Sequence, residues 1–319
     1  MILSATMKRW HANLLLLLAG ATWGMGFIAQ STAMDSIGPF LFIALRFLVA
    51  SFVVLPFVIR EARSSASGSL VGTPATTAQA SIRTSDLSAS DYLKFSLIGL
   101  TLFAGMATQQ VGLLSTSVTN SGFLTGLYVV FTPLLSILLF RDIPHRVTWF
   151  AAVLSLFGIF LLSGGDLNAL VIGDLLTIGS AVFWALQVVL IARFVGQSGR
   201  ALALSFTQFV VVGFLAFLCA LILEPFVWSA IVSAAPQILF AGAFASGLAF
   251  TLQVVGQRFT SAPQAAIFLS SEAPFAAVFA YLFLGERVGA IGLAGCALIM
   301  AAMLIVELVP DWFSGSQHS

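Results

Sequence analysis

Two ionisable side chains stand deep inside long apolar runs: Arg46 in FIALRFLVA and Glu272 in FLSSEAPFAA. At the centre of a lipid-embedded helix such a group costs about 2.5–3.5 kcal/mol, so each is expected to face protein or water. Glu272 lies just before Pro274, which lacks a backbone donor and leaves carbonyls at the same depth open to water or a ligand. A carboxyl there can bind a cation or carry a proton, and Glu272 is the candidate for proton coupling; the plainer reading is an acid that locks two helices. Arg46 offers a fork of donors to an anionic group. Counted from the helix ends, Arg46 lies toward the outer face and Glu272 toward the inner, which favours separate roles over a direct pair.

Uncharged polar side chains are more plentiful in the apolar runs: Gln30, Gln109, Gln110, Asn120, Gln187, Gln208, Gln253 and Gln257. An amide both donates and accepts, so it can line a cavity for neutral or zwitterionic solutes without burying charge, and it can equally tie helices together. Trp23, Tyr128 and Trp184 add flat surfaces with one polar handle, suited to stacking on planar or cationic solutes. The expected solute-binding set is Trp23, Gln30, Arg46, Gln110, Asn120, Tyr128, Trp184, Gln187, Gln253 and Glu272. No metal ligand set is visible, and Cys219 and Cys296 read as small apolar side chains within spans.

The elements that must position these residues are set by composition. The chain is 60% hydrophobic and 8% charged, with a mean hydropathy of +1.07, values that belong to a bilayer protein. Ten runs are long enough to cross about 30 Å of hydrocarbon as helices. They lie near Asn13–Met34, Pro39–Ile59, Tyr92–Leu113, Thr119–Phe140, Val147–Leu162, Ile172–Arg193, Leu202–Leu223, Pro236–Gln257, Gln264–Leu284 and Val288–Val309. The alternation of a membrane β-barrel is absent. The run after Asn13 continues past the length of a signal peptide without a clear cleavage site, so a retained first helix is expected.

With the N-terminus inside, Lys8, Arg9, Arg60, Arg63, Arg83, Lys94, Arg141, Arg146, Arg193, Arg200 and Arg258 all fall on the cytoplasmic side and Arg287 outside, as the positive-inside rule requires. Both termini are then cytoplasmic. The segment Glu61–Asp91, rich in Ser, Ala and Thr, reads as a flexible cytoplasmic loop. Gly20 with Gly24, and Gly122 with Gly126, stand four apart as close-packing faces.

The chain also echoes itself. TNSGFLTGLYVVFTP from Thr119 matches TSAPQAAIFLSSEAP from Thr260 in length and in its closing proline; Trp23 and Gln30 pair with Trp184 and Gln187, and Gln110, Gly112 and Thr116 with Gln253, Gly256 and Thr260. An odd number of crossings between copies makes them antiparallel. The expected fold is therefore all-α and polytopic, with ten transmembrane helices in two inverted five-helix repeats, residues 1–165 and 166–319.

The blocks ATWGMGFIAQ from Ala21, ALRF from Ala44, TNSGFLTGLYVVFTPLLS from Thr119 and FLSSEAPFAAVFAYLFLGE from Phe268 resemble the drug/metabolite transporter superfamily, in its ten-helix EamA-type branch. The resemblance covers essentially all spans and leaves out the loop after Glu61. It implies a central cavity between two inverted halves and transport without ATP hydrolysis, frequently efflux. It places the family's acid before the ninth-span proline at Glu272 and its terminal glutamate at Glu286. The first half departs from the pattern, with RDIPHR where many relatives carry a Gly-Glu pair.

The sequence thus points to a secondary active transporter of amino acids, metabolites or drugs in a plasma membrane, the inner membrane of a bacterium. It is expected to work by alternating access, as an exporter and not an enzyme. Its partners are the bilayer and a small-molecule solute, with no cofactor and no nucleic acid, and a monomer is compatible with it. A membrane-embedded enzyme is the alternative from another class, but His11, His145 and His318 lie scattered in terminal or loop sequence, and no P-loop is present for an ATP-driven pump. A channel or sensory protein is the third reading.

Overall fold

The computed structural model describes residues 7–34, 36–68, 87–116, 118–163, 171–285 and 287–314, with the side chains at 27, 28, 31, 64–68, 118–120, 284 and 310–314 outside that description. All regular structure among the described residues is helical. In chain order the helices are α1 (Arg9–Met34), α2 (Pro39–Gly68), α3 (Ala89–Gly112), α4 (Val118–Thr125), α5 (Tyr128–Phe140), α6 (Arg146–Leu162), α7 (Ile172–Ser198), α8 (Ala201–Leu223), α9 (Trp228–Ser233) and α10 (Ala235–Phe240). A π-helical stretch, Ala241–Leu248, joins α10 to α11 (Ala249–Gln257), followed by α12 (Ala262–Leu269), α13 (Glu272–Leu284) and α14 (Ala290–Ser314).

Among the described residues seven segments are long and apolar enough to cross a membrane: Pro39–Arg63, Ser121–Phe140, Ile172–Ser198, Ala201–Leu223, Ala235–Gln257, Ala262–Phe283 and Ala290–Val309. Helices α1 and α3, of 26 and 24 residues, and the shorter apolar α6 lie where the other three spans were expected. The expected loop Glu61–Asp91 is narrower than its composition suggested, because α2 runs on to Gly68 and α3 begins at Ala89 with a capping box between Ser88 and Asp91. The rest of that loop, residues 69–86, lies outside the described residues.

Three of the apolar runs are interrupted, and the interruptions do not all fall at the prolines. Pro133 and Pro56 sit within helices, whereas the α4–α5 break comes earlier, at Gly126–Leu127. Between α12 and α13, Pro274 has no N–H to offer Ser270, and the Ser270 carbonyl accepts instead from Ala273 N at 3.2 Å while Ser271 N turns back to Phe268 O at 3.2 Å. These tightened bonds end one helix and begin the next. The third interruption, AGAFASGL, is built from small residues that pack a widened π-helical turn closely against α2.

Helix α2 packs along α8, α6 along α14, and α3 along α7 and α8, while α1 lies among the π-helical stretch, α11, α12 and α13. Apolar side chains on the outer faces, such as Phe214, Leu221 and Ile222 of α8, are exposed, as lipid-facing residues must be. Inside, Gly20 and Gly24 let α1 lie directly on the α12–α13 junction, where an added methyl at Gly24 would come within 2.6 Å of the Ala276 nitrogen. Gly122 is different: it has nothing within 4 Å and is no packing face.

Candidate functional site

The contact of α1 with the interrupted helices leaves a narrow cavity of about 60 Å3. Residues from α1, α2, α3, α4, α5, α7, the π-helical stretch, α11, α12 and α13 contribute to its wall. Seven of the ten residues expected from the sequence line it: Trp23, Gln30, Arg46, Tyr128, Trp184, Gln253 and Glu272.

At one end stands Arg46. Its guanidinium is buried, donating from Nε to Ser246 Oγ at 2.8 Å and from Nη1 to Gln30 Oε1 at 3.3 Å, with the Phe42 and Phe47 rings each 5.5 Å away. These partners are neutral, so among the described residues the positive charge is oriented without being cancelled. Ser246 comes from the π-helical stretch, and the same stretch supplies the Ala245 carbonyl that accepts Trp23 Nε1 at 2.8 Å.

The middle of the cavity is aromatic. Phe250 lies between two indoles, tilted against Trp23 at 4.8 Å and stacked on Trp184 at 5.9 Å with 3° between the planes. The two tryptophans differ in one respect that matters for binding. Trp23 Nε1 is bonded to the backbone, whereas Trp184 Nε1 is buried without a hydrogen-bond partner among the described residues. Gln30 Nε2 and the Tyr128 hydroxyl are likewise buried and unpartnered. An unmet buried donor costs about 1–3 kcal/mol, and the shared address of these three makes a ligand with acceptor groups the natural remedy.

Glu272 opens α13 and faces the same cavity, with no hydrogen bond or ion pair among the described residues. No ion pair joins it to Arg46. Its backbone packs beside Gly24 of α1, whereas Arg46 meets that helix at Gln30. Six residues of helix separate those levels, about 9 Å of rise. That spacing keeps the two groups from pairing directly.

Two expected residues stand elsewhere, and a third lies outside the description. Gln110 is buried with its amide against Met34 Sδ. Gln187 joins a buried amide cluster with Gln253, accepting from Gln253 Nε2 at 3.0 Å, and with Gln208 at 3.4 Å. Asn120 has its side chain outside the described residues, and Glu286 lies outside them altogether. In turn, Gln109, Thr125, Met106 and Ser246 were not on the expected list. Gln109 Nε2 donates to Thr125 Oγ1 at 2.8 Å across the α3–α4 contact, and both line the cavity. Neighbouring glutamines on a helix point about 100° apart, so choosing Gln109 over Gln110 required the rotation of α3. Ser246 carried a weak signal, a polar residue in a run of small ones within an apolar span.

The family model for EamA-like transporters matches the chain twice, over residues 10–164 and 171–308. The chain belongs to the EamA-like transporter family. An "uncharacterized transporter" of Archaeoglobus fulgidus is 29% identical over 301 residues, covering 94% of this chain and 87% of that protein. Another, of Methanothermobacter thermautotrophicus, is 26% identical over 201 residues, 61% of this chain and 58% of its own length. A crystal structure of a protein 18% identical in sequence superposes with a TM-score of 0.76 over 96% of this chain and 99% of that one, and so shares the fold. This EamA-like chain is an integral multi-pass membrane transporter.

Proposed function

We propose that the protein is a secondary active transporter of small organic solutes, among amino acids, metabolites and drugs, and that it exports them from a bacterial cytoplasm. It does so by alternating access at the cavity, with ten helices in two inverted five-helix halves, residues 1–165 and 166–319, and both termini cytoplasmic. The observation that carries this reading is the cavity itself: an oriented Arg46 and a Glu272, neither ion-paired among the described residues, separated by an aromatic wall, inside a membrane transporter. Those features suit a solute that brings acceptor groups to Arg46 and Trp184 and a flat or cationic part to Phe250 and Glu272. The double match of the family model, and the approach of Trp23 and Trp184 to Phe250 from opposite halves, support the duplicated architecture. Glu272 is the proposed proton-coupling group, because a cavity-facing carboxyl without a partner can be protonated or ion-paired with cargo in turn.

The test is transport by purified protein in proteoliposomes, assayed across amino acids, nucleosides, organic acids and cationic drugs. Saturable, gradient-sensitive flux with counterflow is expected for at least one class. Flux without counterflow would indicate a pore, and no saturable flux in any class would remove the transporter mechanism proposed here. For the coupling role, Glu272→Gln should abolish pH-driven flux and spare counterflow.

A further inference from the structure

A second void lies along the same helices, away from the central cavity. Tyr128 of α5 lines the central cavity, and Ser136 and Phe140, two and three turns further along α5, line the second; Val188 and Val189 divide between the two voids on α7. This vestibule has a volume of about 480 Å3 and opens where α1 and α12 begin and α5 and α7 end, the cytoplasmic end in the orientation proposed above.

Its wall has a chemistry of its own. Ser136 and Thr148 line it at only 4% and 8% exposure, and neither hydroxyl has a hydrogen-bond partner among the described residues. Arg193 reaches it from α7, with its guanidinium 5.1 Å from the Phe140 ring and no carboxylate paired to it among the described residues. The first turn of α12, Ser261 to Gln264, borders the same space, and Ser261 makes no side-chain cap there. Helix N-termini of this kind favour anions. Two acids are close. Glu307 is already engaged by Asn13, Gln264 (2.8 Å) and Arg9 (3.3 Å), and Asp142 stands exposed on the wall.

We infer that this vestibule is a second binding site, distinct from the central cavity, for a carboxylate or phosphate group held by Arg193 with the hydroxyls of Ser136 and Thr148. Arg193 supplies the charge, anchored on Phe140, and the two hydroxyls supply donors that no described group uses. The anion is either part of a soluble molecule approaching from the aqueous side or the headgroup of an anionic lipid.

Calorimetric titration of the full-length protein with sodium phosphate and with sodium succinate, in detergent and then in phosphatidylcholine nanodiscs, tests the site. Saturable binding of at least one of the two anions is expected. Arg193→Gln should weaken it at least tenfold, Arg193→Lys should restore part of it, and Ser136→Ala with Thr148→Val should weaken it several-fold in protein of unchanged melting temperature. Arg46→Gln should leave the Arg193-dependent part of the binding intact. The proposal is overturned if neither anion binds, or if binding survives Arg193→Gln and disappears with Arg46→Gln, which would place the anion in the central cavity. Suppression of the signal in phosphatidylglycerol nanodiscs assigns the site to a lipid headgroup; an equal signal in both lipids assigns it to a soluble anion.

Discussion

Glu61 and Glu224 close the two ends of one antiparallel helix pair, each capping the helix that the other ends. Glu224, just past the C-terminus of α8, accepts from Phe40 N at 2.7 Å and Leu41 N at 2.8 Å in the first turn of α2. Glu61, near the far end of α2, accepts from Leu202 N at 3.2 Å and Ala203 N at 3.0 Å in the first turn of α8. The carboxylates are 163 residues apart, and the amides they bind are 162 apart. The arrangement supports the inverted duplication proposed above, because a two-fold axis between α2 and α8 would exchange one clamp for the other. Each clamp meets two helix N-terminal donors with a negative charge at the positive end of a helix.

Removing either clamp should therefore destabilise the protein by a similar amount. Glu61→Ala and Glu224→Ala are each expected to cost about 1–2 kcal/mol, the range for a lost helix cap. The sites lie at opposite ends of the pair, so the double variant should show near-additive loss. Thermal unfolding in detergent measures all three.

The two tryptophans of the cavity should respond differently to the same substitution. Trp23→Phe removes the hydrogen bond to Ala245 O, a loss of about 1 kcal/mol in stability. Trp184→Phe removes a donor that has no partner among the described residues, so stability should change little. Solute affinity should fall with Trp184→Phe, measured as a raised half-saturation concentration in counterflow.

Ser246 should act on transport through Arg46. Ser246→Ala removes the partner of Arg46 Nε while leaving the charge in place. A several-fold rise in half-saturation for solutes bearing a carboxylate is expected, with little change for solutes lacking one. Ser246→Thr, which keeps the hydroxyl, should recover part of the affinity.

The membrane character, the helical class and most of the polar side chains of the cavity wall could be read in the sequence because polar residues in apolar runs are few and each is costly. Arg46 and Glu272 announce themselves on that ground alone. What could not be read was helix rotation and local winding. Gln109 and Gln110 are equivalent as letters, and only the contact of α3 with α4 decides between them. The α4–α5 break and the π-helical stretch depend on small residues, which are common throughout the chain. The Glu61 clamp was hidden inside a segment that its serine-rich composition marked as loop.

Arg141 takes a left-handed conformation, φ 58°, at the end of α5, where Gly285 takes φ 69° at the end of α13. Left-handed geometry costs an ordinary L-residue roughly 1–2 kcal/mol, and glycine avoids that cost. Arg141→Gly is therefore expected to stabilise the protein by up to about 1 kcal/mol, whereas Gly285→Arg should destabilise it. Paired melting curves check both signs, and a destabilised Arg141→Gly protein would mean that the side chain makes a contact worth more than the backbone strain.

The last contrast concerns glycines that look alike in sequence. Both pairs, Gly20 with Gly24 and Gly122 with Gly126, have the four-residue spacing of close-packed membrane helices, yet Gly24 and Gly122 have opposite surroundings. A methyl at Gly24 would sit 2.6 Å from Ala276 N and 2.8 Å from Glu272 O, both backbone atoms that cannot rotate away. Gly24→Ala must then push α1 off α13, at a cost of about 1–3 kcal/mol for overpacking, and it should impair transport as well because Glu272 is displaced with its helix. Gly122 is helical with nothing within 4 Å. Gly122→Ala should be neutral or stabilising by about 0.4–1 kcal/mol through the unfolded chain. Melting temperatures and counterflow rates of the two variants decide the matter: equal behaviour would mean that spacing alone governs, and opposite behaviour that the α1–α13 contact does.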